Sequence, residues 1–262
     1  MYRYVLSCSS MSAMDYISSH QVFTTAGVQA VSPSKETAET ALRRAVASGK
    51  VERIRRGLYV SKVGPFRSSA PDPYDVLAAA DPDAVVSYLS ALAAHGVAHN
   101  VSFDVTFRSG AVKSGFEYNG VRYTPYALES GVAFQRKRFG AQLFLSVTTR
   151  EQTFIDCLTH MDRSGGSEEA IRALSSMAYL DLEALEAMLA ASSGAVRARA
   201  GWLLEENKEK WGVPDGLLAR LEEGLSGGAV RFGSKGDPTL LWSKRWKLAL
   251  PYGEEEVAGW MR

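Results

Sequence analysis

The chain has 262 residues, 46% of them hydrophobic, with 30 Lys and Arg against 29 Asp and Glu and only two cysteines. That is enough apolar material for two cored domains, while Cys8 and Cys157, far apart and in no CxxC, exclude a disulfide framework. No apolar run approaches the ~20 residues that span a bilayer, and the start MYRYVLSCSSMSAM lacks the apolar core of a secretory leader, so the expected setting is the reducing cytoplasm. Two readings of residues 1–10 stay open, a disordered lead-in or a true start at Met11 or Met14.

The formal charge of +1 conceals a division. Residues 1–70 hold 10 Lys and Arg against 4 Asp and Glu, whereas residues 71–262 hold 20 against 25. A basic module on an acidic body points to a nucleic-acid partner for the module alone.

Residues 11–62 read as a winged helix–turn–helix. A first helix is expected over Ser12–Ser19. Thr24 or Thr25 then offers an N-cap for a second, short helix through Ala30. The break Val31-Ser32-Pro33 ends it, because the residue before a proline is pushed out of helical geometry. Ser34 caps a third helix that runs to Ser48, with Gly49 as its stop. On that helix Ala38, Ala41, Leu42 and Ala45 recur at i, i+3, i+4 and i+7, the stripe of a buried face. The opposite side carries Glu36, Thr40 and Arg43, flanked by Thr37 and Arg44 on one edge and Lys35 and Glu39 on the other. A helix so divided can enter a major groove with its N-terminal half. Thr37 and Thr40 suit base edges or a thymine methyl, and Arg43 and Arg44 suit guanine or phosphate. A basic hairpin follows, with strands Val51–Ile54 and Leu58–Val60 around Arg55-Arg56-Gly57. Gly57 supplies the positive φ of a tight turn. Arg53, Arg55 and Arg56 crowd the tip, as phosphates or a narrow minor groove would require. The candidate DNA-binding set is therefore Ser34, Lys35, Thr37, Thr40, Arg43, Arg44, Arg53, Arg55 and Arg56.

Residues 64–73, GPFRSSAPDP, have the composition of a linker, which divides the chain into a DNA-binding domain at 1–63 and a larger domain at 74–262. In the latter, helices are expected near Tyr74–Ala80 and Ala84–His95. Strands follow at Val101–Arg108, Val132–Phe139 and Ala141–Val147. A hairpin over Phe116–Tyr123 turns at Asn119-Gly120, the pair that a type I′ turn favours. The period then becomes helical, over Arg150–His160, Glu168–Ala178, Asp181–Ala190, Val196–Trp211 and Asp215–Glu223, before a closing β segment at Leu240–Leu250. Runs of strands followed by runs of helices make the class α+β.

Catalytic and metal patterns are missing. His95 and His99 are four apart, but Gly96 lies between them and no HExxH glutamate accompanies them. Glu151 and Asp156, five apart on one predicted helix, point in different directions. The segment 228–235 imitates a phosphate loop with Ser234 and Lys235 in the wrong order. We therefore expect no catalytic residues, no metal, no cofactor and no enzymatic activity. Two basic clusters interrupt the acidic domain: Arg136, Lys137 and Arg138, and Lys244, Arg245 and Lys247. Phe134, Phe139, Trp242 and Trp246 are interleaved with them. On adjacent strands they would form one patch for RNA or a protein partner. The bland alternative is a charged sheet face over buried tryptophans.

Five stretches, FTTAGVQAVSPSKETAETALRRAVASGKVERIRRGLYV, SYLSALAAHGV at Ser87–Val97, VTTREQTFIDCL at Val147–Leu158, AGWLLEE at Ala200–Glu206 and the late WKLALP, together resemble the AbiEi antitoxin family of type IV toxin–antitoxin systems. Phe154 and Cys157 depart from the small apolar residues expected there. The resemblance implies an N-terminal domain that binds double-stranded repeats in its own promoter and represses it. It also implies a C-terminal antitoxin domain, and a nucleotidyltransferase-like toxin opposed without a stable complex. No membrane partner is implied, and the chain would act as a monomer or weak dimer, cooperative on DNA. Two other readings stay open on the residues alone. One is a ligand-sensing regulator with no toxin, which a deep apolar pocket in the second domain would favour; the other is an enzyme tethered to DNA.

Overall fold

The computed structural model describes residues 11–140, 143–225, 227–233 and 237–261. The lead-in at 1–10, with Cys8, and Ser234-Lys235 lie outside the described residues. The chain forms two units: one runs to Ala84 and takes in Ser114–Tyr123, and the other holds Val85–Lys113 and the chain from Thr124 onward.

The first unit opens with helix α1 (Ala13–Ser19), strand β1 (Val22–Thr24), α2 (Thr25–Ala30), α3 (Lys35–Ala47), β2 (Val51–Arg55) and β3 (Leu58–Ser61). Each helix start has a local cause. Ser12 and Asp15 form a reciprocal capping box on α1, Thr24 accepts from the Gly27 N–H on α2, and Ser34 accepts from the Thr37 N–H on α3. Such caps stabilise a helix by about 0.5–2 kcal/mol each. Gly49 ends the α3 segment at φ +69°. The stripe on α3 is buried at Ala38, Leu42 and Ala45, and packs with Ile17, Phe23, Val28 and Val51 into a small core. A Cβ on Gly27 would collide with the Tyr16 hydroxyl, so glycine lets α2 lie against α1. The strands form an antiparallel sheet in the order β1-β3-β2. The three-residue β1 escaped the sequence pattern because it is too short to show alternation. After a 3₁₀ turn at Gly64–Phe66, Asp72 caps α4 (Pro73–Ala80) with Pro73 in its first turn.

Next in chain order are β4 (Val85–Val86), α5 (Leu89–His95), β5 (Asp104–Ser109), β6 (Phe116–Tyr118), β7 (Val121–Ala127), β8 (Phe134–Phe139), β9 (Leu143–Thr148) and α6 (Arg150–Thr159); β6 and the start of β7 belong to the first unit and the others to the second. Then come α7 (Ser167–Ser175), α8 (Leu182–Ala190), α9 (Gly194–Glu206), α10 (Lys208–Trp211), α11 (Asp215–Glu223), β10 (Val230–Arg231), β11 (Leu241–Ser243), β12 (Leu248–Leu250) and α12 (Glu254–Trp260). Strands from β7 to β8 run in the order β7-β5-β4-β9-β8, and β6 pairs with the start of β7. A smaller sheet has the order β10-β12-β11. The architecture is mixed α and β, with an N-terminal winged helix–turn–helix and a larger domain after it.

Two helices differ from expectation. The segment 84–95 is not one helix: Val85-Val86 is a central strand, parallel to β9 and antiparallel to β5, and Tyr88 takes φ +56°, ψ −130° before α5 begins. Paired valines favour a pleated strand, and a positive φ cannot continue a right-handed helix. The helix expected over Val196–Trp211 breaks at Asn207 (φ −104°, ψ 21°), whose amide donates to Ser175 Oγ and to the Leu203 carbonyl. The terminal helix α12 and strand β10 had no visible period. The core gathers Phe154, Cys157, Leu158, Ile171, Leu174, Trp202, Leu203 and Trp246, and Gly201 makes room for the Trp246 ring, which a Cβ would strike. Burial pushes the Cys157 thiol up to about 12, so it stays protonated. Among the described residues no helix is long and apolar enough to cross a membrane.

Candidate nucleic-acid interface

The first unit places α3 beside the hairpin β2–β3, and an open groove of about 910 Å³ lies between them. Lys35, Glu39, Leu42, Arg43, Val46 and Ala47 line it from the helix, and Arg53, Arg56, Gly57 and Tyr59 from the wing. Gly57 turns the wing at φ +84°, and its carbonyl accepts from the Thr25 N–H at 2.9 Å, fixing the tip against the start of α2. Four cations thus line the groove against one carboxylate, Glu39, which lies 4.0 Å from Lys35. Arg43, Arg53 and Arg56 are exposed and make no ion pair among the described residues. Positive charge held open on a helix and a hairpin is what a phosphate backbone binds.

The other candidates on α3 divide. Ser34 is engaged in capping, with its hydroxyl also 3.1 Å from Thr37 Oγ1. Thr37 faces a separate groove with Met11, Met14 and Pro33. Thr40 is half-buried, and Arg44 is exposed. The exposed Glu36 carboxyl is held below its ordinary range by hydrogen bonds from its own backbone N–H and from Ser34.

Arg55 goes elsewhere. The register of β2 on β3 shifts between Arg53 and Arg55, and a bulge of this kind re-aims a side chain. The Arg55 guanidinium lies over the Phe116 ring, 5.1 Å from its centroid. Phe116 belongs to the β6–β7 hairpin, which turns at Asn119 (φ +51°) and Gly120 (φ +76°), as its Asn-Gly pair predicts. Tyr118 on the same hairpin donates to Glu52 at 3.1 Å. Burial, together with Glu52, pushes the Tyr118 phenol up to about 12. Glu52 also pairs with Lys62 at 3.3 Å. Phe116 and Tyr118 are wing supports that sequence reasoning missed. Their signal was an aromatic hairpin some sixty residues from the wing, and nothing local ties the two together.

The two basic clusters of the second unit lie on different sheets, not on adjacent strands. Arg136, Lys137 and Arg138 are on β8, the edge of the larger sheet. Lys244, Arg245 and Lys247 sit in the β11–β12 connection. Arg245 donates to Glu205 at 2.6 Å and to Glu222 at 2.8 Å. Trp246 is buried, with its indole N–H on Glu205 at 2.6 Å. Arg245 is therefore neutralised, while Lys244 and Lys247 are exposed.

A closed polar cluster lies under the larger sheet. Arg108 pairs with Asp156 through both carboxylate oxygens, at 2.5 and 2.9 Å, both side chains being nearly inaccessible. The Tyr88 hydroxyl accepts from Arg108 and Arg163, each at 2.9 Å, and Gln152 donates to Asp156 at 2.8 Å. Burial raises the Tyr88 phenol above its ordinary value. Glu151 is spent on the Asp181 N–H. His95 Nε2 lies 2.9 Å from the Thr148 carbonyl, and His99 Nε2 lies 3.1 Å from Arg172.

Residues 12–62 match the family model described as "Transcriptional regulator, AbiEi antitoxin". No curated protein matches the chain. Among solved structures, the RV2827C protein from Mycobacterium tuberculosis is similar in fold, with a TM-score of 0.65 at 16% identity over 95% of this chain and 92% of that one.

Proposed function

We propose, from a regulator module of the AbiEi antitoxin family over residues 12–62, that the chain is a DNA-binding autorepressor and the antitoxin of a type IV pair. It acts in the cytoplasm, as a binding protein and not a catalyst, and opposes a nucleotidyltransferase-like toxin without a stable complex. The observation that carries the reading is the groove in which Lys35 and Arg43 from α3 face Arg53 and Arg56 from the wing. The helix enters the major groove, and the wing arginines hold the adjoining backbone. Two copies bind cooperatively on repeats spaced about one helical turn, ~34 Å, or a multiple of it.

The test titrates the chain with duplex from directly upstream of its own reading frame, across a range of salt. Arg53→Ala with Arg56→Ala weakens binding on every sequence and lowers the slope of log K against log salt by about 1.8, since each phosphate contact contributes about 0.9. Unchanged affinity and slope would overturn the wing assignment. The antitoxin half is tested by expressing the adjacent reading frame with and without this chain; equal growth would reject it.

A further inference from the structure

The face of the β8–β9 edge carries features that neither DNA reading by the wing nor packing explains. Partners in an antiparallel pair project to the same side of the sheet. Arg136 faces Ser146 and Arg138 faces Phe144, so alternation puts Phe134, Arg136, Arg138 and Phe144 on one face. Phe134 is 51% exposed and Phe144 50%, and both arginines are exposed. Arg136 donates to the Phe144 carbonyl at 2.8 Å, and Arg138 donates to the Gly140 carbonyl at 3.2 Å. Backbone carbonyls thus help to steady both guanidiniums. Residues 130–150 contain Arg136, Lys137, Arg138 and Arg150 and no Asp or Glu, within a region that is acidic overall.

Charge along an edge strand is a common guard against edge-to-edge pairing. That purpose accounts for the arginines and not for two half-exposed phenylalanines beside them, which work against it. Aromatic rings and cations together on an open strand surface are what stack bases and track a phosphate backbone. In the Lys244–Lys247 connection, by contrast, Arg245 is held by Glu205 and Glu222 and the Trp246 ring is buried, while Lys244 and Lys247 are exposed. We propose that the β8–β9 face binds single-stranded nucleic acid, with bases stacked on Phe134 and Phe144 and phosphates on Arg136 and Arg138.

The test uses the full chain carrying Arg53→Ala and Arg56→Ala, so that failure of the wing reading cannot mimic failure here. Fluorescence anisotropy follows a labelled oligouridylate of about twelve nucleotides, within the range one such surface covers, and an oligothymidylate of equal length. Phe134→Leu with Phe144→Leu keeps apolar bulk, removes the rings, and weakens binding roughly tenfold per ring. Arg136→Ala with Arg138→Ala lowers the salt slope by about 1.4, at about 0.7 per single-strand phosphate. An unchanged thermal midpoint certifies that each variant is folded. Tighter binding of either oligonucleotide supports the proposal and assigns the sugar. The proposal is overturned if the wing-disabled chain binds neither oligonucleotide or if binding survives loss of both rings. Equal displacement by polyglutamate would also overturn it, in favour of an acidic protein partner.

Discussion

Arginine does opposite things in the two units. In the first, Arg43, Arg53 and Arg56 stand open to solvent along a groove, with no carboxylate bonded to them among the described residues. In the second, Arg108 is 3% exposed and closed in by Asp156 and Tyr88. A solvated guanidinium contributes little to folding and is available to a ligand. A buried one must be paired with an opposite charge, and that partner becomes indispensable. The contrast separates residues left open to a ligand from residues kept for the fold, even where the residue type is the same.

The largest effect follows from breaking the buried side of that contrast. Asp156→Ala leaves Arg108 uncompensated, and we expect a loss of about 3–5 kcal/mol in urea unfolding. Arg53→Ala with Arg56→Ala, by contrast, shifts the same measurement by no more than about 0.5 kcal/mol. Equal losses in the two variants would erase the distinction.

The same contrast explains what was legible in the sequence. The first unit is written locally: Thr24 and Ser34 as caps, Ala38, Leu42 and Ala45 as a stripe, Gly49 and Gly57 as stops all signal within a few residues of where they act. Arg108 and Asp156 are 48 residues apart and meet only when β5 and α6 pack. Nothing near either residue marked a pair. The placing of Arg55 over Phe116 was out of sight for a similar reason: the bulge before it and the ring beneath it are set by tertiary contacts. Val85-Val86 was hidden because a two-residue central strand shows no alternation to read.

Close packing gives the next effect. A methyl on Gly201 meets the buried Trp246 ring, whereas one on Gly27 meets the end of the Tyr16 side chain, which is half-buried and better able to move. Gly201→Ala is expected to cost about 1–3 kcal/mol in thermal or urea unfolding, and Gly27→Ala less. The reverse order would place the tighter interior in the first unit. Smaller again is the wing support. Phe116→Ala removes the ring under Arg55, worth about 0.5–1 kcal/mol at a partly exposed site. DNA affinity should fall a few-fold with the salt slope unchanged, because no phosphate contact is deleted. A lower slope would instead put Arg55 on the DNA.

The smallest effect concerns protons. Burial lowers the His95 imidazole below its ordinary 6.5, and the Thr148 carbonyl only partly offsets this. Burial also lowers His160, with Arg163 adding to it. A histidine depressed in the folded state binds its proton more readily once unfolded, so acid favours unfolding. Its contribution is complete above the unfolded value and is lost as pH falls from about 6.5 through the lower folded value. His95→Asn should therefore be less sensitive than the parent to a drop from neutral pH to below 6, read as the change in urea midpoint. His160→Asn should behave alike and more weakly, since that ring is less deeply set than His95. Parallel pH profiles for parent and His95→Asn would mean that the ring is solvated in the native state, and that the second unit does not keep its titrating groups inside as its arginine is kept.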